Sequence, residues 1–299
     1  MKVEFLKGER LGDFVEYCRM HRAKLDHSFL YDEDLNDFEP NAENPAYIIS
    51  NSQGEIIAAV SLILDDYNRR GKKARFRIFH SAVNDVACYQ MLWQALFPHT
   101  IGLEKVFLFI PNENAILIEF IKKLNFTVER YAYLLLREDL EIPGLRLPAD
   151  YSIRSFRPGV DEAKWCVVRN AGFAQLQGSE TPITPEMISE MISKEGYVEG
   201  GMMILFHQDR PVGIVNGEAD EYEDVPALHI AQLAIIPEYQ GRGFGRMLLR
   251  AALHFAKENG FKRTTLSVNG ENERAISLYI QEDFKQAEAF TCYQYDLQL

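Results

Sequence analysis

Between residues 243 and 258 the apolar side chains of Met247, Leu248, Ala251, Ala252 and Phe255 recur at the spacing of one helix face. Gly260 stands where the C-terminal cap of that helix falls. Around it the second half of the chain alternates between strand-like and helix-like runs. Residues 151–156 read as a strand and 160–172 as a helix. Thr184, Pro185 and Glu186 supply an N-cap, a proline at the first helical position and an early acid, so a second helix starts there. Strands are expected over 202–206 and 212–218, joined at Asp209-Arg210, and over 229–236, ended by Pro237. Residues 264–268 read as a strand, 271–281 as a helix, and the C-terminus as two more strands. The order β-α-α-β-β-β-α-β-α-β-β describes a mixed α/β domain.

The chain also repeats itself. VNGENERAISLYIQEDF, 268–284, aligns without a gap on IPNENAILIEFIKKLNF, 110–126, so that Asn272 falls on Asn114 and Phe284 on Phe126, an offset of 158. The same offset carries Gly260 onto Gly102 and Leu266 onto Leu108, and the strands over 46–50 and 55–61 resemble the pair within 202–218. EIPGLRLPAD, 141–150, has the composition of a linker. The expected organisation is two copies of one α/β domain, 1–140 and 151–299, joined by 141–150. A length of 299 residues agrees with about two domains.

Composition narrows the function. Thirty-two basic against 44 acidic residues give a net charge of −12, which argues against nucleic acid and anionic membrane surfaces as partners. Cys18, Cys88, Cys166 and Cys292 stand far apart, and the histidines form no metal-binding pattern, so neither a disulfide framework nor a metal is expected. The longest apolar run, 56–64, is about half a bilayer span. Acidic residues occupy the start of the chain where a signal peptide needs apolar ones, so the expected location is cytoplasmic.

Chemistry concentrates at Gln240-Gly241-Arg242-Gly243-Phe244-Gly245, followed by Arg246, between a strand and the long helix. A helix start carries unpaired N–H groups and about half a positive charge, and glycines let an anion approach the backbone. With two arginines beside it, the segment reads as a diphosphate cradle. The G-x-G-x-x-G of a dinucleotide fold and the Gly-Lys-Ser/Thr of a nucleotide-triphosphate loop are both absent.

LHIAQLAIIPEYQGRGFGRMLLRAAL, 228–253, followed by NGENERAISLYIQEDF, 269–284, resembles the GNAT family of acyl-CoA-dependent N-acyltransferases. Residues 151–299 look like one whole GNAT domain, and the tandem arrangement is similar in architecture to mycothiol synthase and other two-domain members. The resemblance implies two GNAT-like domains, each a mostly antiparallel, splayed sheet flanked by helices. It implies a bulged strand in which Leu233, Ala234 and Ile235 offer main-chain groups to the pantetheine arm of acetyl-CoA, the co-substrate. Residues Gln240, Gly241, Arg242, Gly243, Phe244, Gly245 and Arg246 would hold the pyrophosphate, and Asn272 would face pantetheine or adenosine. Tyr279 falls on the family's general-acid tyrosine. The general base is open between His229, where many members have a glutamate, and Glu218. Where the family usually has Gly-Phe after the last helix, this chain has Asp283-Phe284.

The expected activity is transfer of an acetyl group to a primary amine of a small molecule by direct attack in a ternary complex. A non-enzymatic acyl-CoA-binding sensor is the alternative, and a homodimer stays open. The acidic residues Asp220, Glu221, Glu223 and Asp224 read as a solvated loop within an acceptor segment, 218–226. Carried back by the offset, Gln240, Gly243, Gly245 and Tyr279 become Ala82, Asp85, Ala87 and Ile121. The first copy is therefore expected to perform no acyl transfer.

Overall fold

A computed structural model of the chain describes residues 2–26, 28–138 and 141–298. Residues 139 and 140, which close the first copy as read from the sequence, lie outside the described residues. In chain order the elements are β1 Val3–Phe5, α1 Leu11–His21, α2 Asp32–Asn36, β2 Ala46–Ser50, β3 Ile56–Ile63, α3 Asp66–Arg70, β4 Lys73–Ser81, α4 Val86–Leu96, β5 Lys105–Pro111, α5 Ala115–Lys123 and β6 Thr127–Arg137. They continue with β7 Tyr151–Ser155, α6 Glu162–Phe173, α7 Pro185–Met191, β8 Tyr197–His207, β9 Arg210–Tyr222, β10 Val225–Ile235, α8 Phe244–Glu258, β11 Arg263–Asn269, α9 Glu273–Gln281 and β12 Lys285–Asp296. Residues 141–150 contain no helix or strand.

Two compact units result, Met1–Ala132 with Ala289–Leu299, and Tyr133–Glu288. Their boundaries fall inside β6 and β12 rather than at 141–150. Strand pairing is the reason. β12 runs antiparallel to β5, with Phe290 opposite Pro111 and Asp296 opposite Lys105, so the C-terminal strand joins the first unit. Strand order is β1-β2-β3-β4-β5-β12 in the first unit and β6-β11-β10-β9-β8-β7 in the second. Strand pairing is mainly antiparallel in each unit, and each contains a parallel pair, β4 with β5 and β10 with β11. The C-terminus expected as two strands is the single strand β12.

The repeat has a physical basis in helix ends. Asn114 and Asn272 are the N-caps of α5 and α9, each accepting from the backbone three residues on at 3.2 Å. At the other ends Asn125 and Asp283 take left-handed conformations, φ 64° and 66°. Phe126 and Phe284 then donate their N–H groups to the carbonyls of Ile121 and Tyr279 at 3.1 Å. Asp283 thus makes the left-handed turn that ends α9. In the second unit Leu248, Leu249, Ala252 and Leu253 of α8 are buried with Ile204, Leu205, Ile214 and Val215 of the sheet, while Trp165 of α6 is fully buried. All four cysteines are buried, and none is in a disulfide.

The first unit buries a titratable cluster. Tyr17 donates its hydroxyl to the Ile57 carbonyl at 3.1 Å and lies 2.8 Å from His80 Nδ1, and the His21 ring centroid is 4.4 Å from that of His80. Burial pushes His80 down to about 4. As pH falls below the ordinary histidine value of about 6.5, the unfolded chain binds this proton before the folded one does. The contribution is intact above that value and is lost between 6.5 and 4, to a limit of about 3 kcal/mol. Urea unfolding at pH 7 and pH 4.5 is expected to show this loss in the wild type and a shallower one in His80→Gln. Equal pH slopes would remove His80 as the cause.

Candidate active site

The site begins with one extra residue. Along β9 and β10 His229 lies opposite Glu218 and Ile230 opposite Gly217, but Gln232 lies opposite Asn216, so Ala231 is a bulge. Pairing of β10 with β11 ends where Ile230 meets Leu266. Beyond it Leu233, Ala234 and Ile235 keep register with Val215, Ile214 and Gly213 of β9. On their other side the β10–β11 ladder does not continue, so their main-chain groups there lie outside it. One group of the expected trio is already engaged: the Ile235 carbonyl accepts from Gln240 Nε2 at 2.9 Å. Gln240 therefore ties the strand end to the turn at Pro237–Tyr239.

The helix start after that turn is open. Gly241 and Gly243 have φ of 78° and 83°, values that favour glycine, and Gly243 is the N-cap of α8. No side chain caps this end. The backbone N–H groups of Phe244, Gly245 and Arg246 thus stay available at the positive pole of a 15-residue helix. Arg242 is exposed and stacks on Tyr239, 5.1 Å from the ring centroid.

Two cradle residues have other partners. Arg246 bonds Gln281 and pairs with Glu282 at 3.2 Å, and Arg250 grips the same carboxylate through two 2.8 Å bonds. Arg246 therefore braces α8 against the end of α9, and Glu282 offsets its charge. Asn272, expected to face the co-substrate, spends its side-chain oxygen as the N-cap of α9.

The corresponding helix start in the first unit differs in two respects. Four residues, 82–85, join β4 to α4, whereas eight, 236–243, join β10 to α8. Asp85 caps α4, its Oδ1 accepting from Ala87 N at 2.9 Å. The position of Gly243 thus carries a carboxylate that occupies the helix pole.

Both candidate bases lie together. Glu218 and His229 are directly opposite on neighbouring antiparallel strands and so share one face of the sheet. Thr265, opposite His229 on β11, places Oγ1 3.0 Å from His229 Nδ1. A Nδ1–H donated to that hydroxyl leaves the Nε2 lone pair free, whereas in the other tautomer Nδ1 accepts from the hydroxyl. Burial lowers the His229 pKa, and Asp220 nearby opposes the shift. Burial raises the Glu218 pKa, while a 2.6 Å bond from Asn216 Nδ2 opposes that rise. The acidic segment expected as a loop over 218–226 is instead a hairpin, with only Glu223 and Asp224 in its turn at φ 49° and 59°. Tyr279 on α9 is buried, and burial pushes its hydroxyl up to about 12. That hydroxyl has no hydrogen-bond partner among the described residues.

Four residues that the sequence reading passed over stand on the same sheet face or against it. Trp165 Nε1 donates to Gln232 Oε1 at 3.3 Å, and the amide nitrogens of Gln232 and Asn216 lie 4.0 and 3.8 Å from Met191 Sδ. Simple alternation puts His229 and Gln232, three apart, on opposite faces; the bulge at Ala231 brings them to one.

A bulged strand, a parallel ladder that stops short and an uncapped glycine-rich helix start together define the class. Residues 172–284 match the Acetyltransferase (GNAT) family. Among curated proteins it is 26% identical over 147 residues to "Mycothiol acetyltransferase" of Kytococcus sedentarius, covering 49% of each chain. It is 25% identical over 264 residues to the protein of that name from Acidothermus cellulolyticus, covering 84% of this chain and 75% of the relative. The chain spans about half the length of the first curated relatives it matches. Its fold is also that of a solved "Tandem GNAT protein from the clavulanic acid biosynthesis pathway", with TM-score 0.71 and 12% identity over 99% of this chain and 98% of that one. Among the described residues no group of three or more His, Cys, Asp or Glu could hold a metal ion. No helix among them is long and apolar enough to cross a membrane.

Proposed function

We propose that the protein is a cytoplasmic, acetyl-CoA-dependent N-acetyltransferase that acts on a primary amine of a small molecule in a ternary complex. The observation that carries this reading is the helix start at Gly243, left uncapped beside a strand whose parallel ladder stops short. The cradle would take the pyrophosphate through the first N–H groups of α8, and the strand beyond the ladder would take the pantetheine arm. A main-chain N–H there would polarise the thioester carbonyl. The name of the relatives, mycothiol acetyltransferase, supports a small-molecule acceptor.

An amine is mostly ammonium at pH 7 and cannot attack until a base removes a proton. The Glu218–His229 pair supplies that base, since burial favours the neutral imidazole. Nitrogen then attacks the thioester carbon, the C–S bond breaks, and the leaving thiolate takes a proton from the Tyr279 hydroxyl. Tyr279→Phe tests this assignment. The hydroxyl has no partner to lose, so Tm is expected to hold or rise, whereas kcat falls by about 10²-fold or more. An unchanged kcat would exclude Tyr279 as the acid. The non-enzymatic reading of the site predicts acetyl-CoA binding without release of CoA in the presence of any amine.

A further inference from the structure

The side chains around Glu218 carry information about the acceptor beyond its amine. Gln232 is fixed at one end, because Trp165 donates to its Oε1 at 3.3 Å, so its amide nitrogen faces the other way. That nitrogen meets Met191 Sδ at 4.0 Å, and the same sulfur takes Asn216 Nδ2 at 3.8 Å. A thioether is a weak acceptor, and both contacts lie near the outer limit for sulfur. Asn216 is buried and its amide nitrogen also bonds Glu218, so it is the half-buried Gln232 whose amide donor is held by a partner that satisfies it poorly. Asn216 Nδ2 also lies 2.6 Å from Glu218 Oε1, so the donors adjoin the carboxylate that would meet an ammonium.

We propose that Gln232, with Asn216, reads a second polar group on the acceptor: an ether, hydroxyl or carbonyl oxygen on the carbon next to the one that bears the amine. This rests on the transferase reading of the same site. The oxygen replaces the sulfur as the acceptor for the amide N–H groups while the ammonium sits against Glu218. The close approach of Asn216 Nδ2 and Glu218 Oε1 requires ligand nitrogen and oxygen to be near neighbours, as in a 2-oxyethylamine. An alkylamine of equal length leaves the amides on sulfur.

The test compares 2-methoxyethylamine with n-butylamine, which differ by one oxygen in place of a methylene. The comparison uses kcat/KM in the full chain for the wild type, Gln232→Met and Met191→Leu. The wild type is expected to prefer the ether amine by about ten-fold, the worth of one such hydrogen bond. Gln232→Met is expected to lower that ratio several-fold, and dividing one ratio by the other cancels the different basicity of the two amines. Met191→Leu removes the competing sulfur and is expected to keep or raise the preference. A ratio unchanged in Gln232→Met overturns the proposal. So does failure of the wild type with CoA present to bind the ether amine in calorimetry. The Tm rise with acetyl-CoA, read on each protein, separates the two levels: if it persists while selectivity does not depend on Gln232, only the acceptor assignment falls, and if it is absent the transferase reading falls as well.

Discussion

Acetyl-CoA at about 100 times its Kd is expected to stabilise the protein by about 2.7 kcal/mol, which raises Tm by about 5–10 °C, and Gly243→Asp is expected to abolish the rise. The variant is designed from the first unit, where Asp85 occupies the equivalent helix start and caps α4. An aspartate at 243 brings a negative charge and its own hydrogen-bond acceptor to the pole that a diphosphate would use. A Cβ at Gly243 meets no atom within 4 Å, so the fold tolerates the change apart from the strain of a side chain at φ 83°. Because the measurement is made on the full chain, it also reports on the first unit. A rise that survives in Gly243→Asp would place binding elsewhere, whereas full loss would support the expectation that the short, self-capped junction at 82–85 binds no acetyl-CoA.

Glu218→Gln is expected to lower kcat by at least about 10²-fold while leaving the acetyl-CoA-induced rise in Tm intact. The side chain lies on the sheet face shared with His229, away from the cradle. The kcat profile of the wild type carries the sign of the two shifts. Glu218 titrates above its ordinary 4.5 and His229 below its ordinary 6.5, both chiefly through burial. A base works deprotonated, so kcat is expected to fall as pH drops, on a limb above 4.5 where the carboxylate is the base and below 6.5 where the imidazole is. An acid limb centred above 6.5 would exclude His229 as the base, because burial lowers its pKa. His229→Ala separates the partners, because loss of the limb would assign it to the imidazole and its retention to the carboxylate.

Local signals in the chain proved sufficient for much of this. Helix α8 follows from the period of Leu248, Ala251 and Ala252, and its ends from Gly243 and Gly260, which have φ of 83° and 80°. Thr184 and Pro185 start α7 as their side chains require. The repeat was visible because Asn114 and Asn272 do the same work at the same helix start, and a cap is a short-range interaction that leaves its mark at fixed spacing. Even the replacement of glycine by Asp283 was interpretable, since an Asx side chain tolerates the left-handed turn.

What the chain left open depended on partners distant in sequence. That β12 joins β5 rather than its own copy is a choice among strand edges, and no local pattern encodes an edge. The stretch 218–226 read as a loop because acidic residues crowd there, and only its register with 225–229 makes it a hairpin. Arg246 looked free for a phosphate until α9 brought Glu282 against it. The meeting of Glu218 with His229 required the hairpin register, and that of Asn216 with Gln232 required the bulge at Ala231, which shifts the parity of a strand by one residue. The sequence by itself therefore determined the elements, their caps and the open helix start at Gly243, all short-range matters. The tertiary structure alone decided which side chains stand together, because a bulge and a strand edge acquire their meaning only from a neighbour.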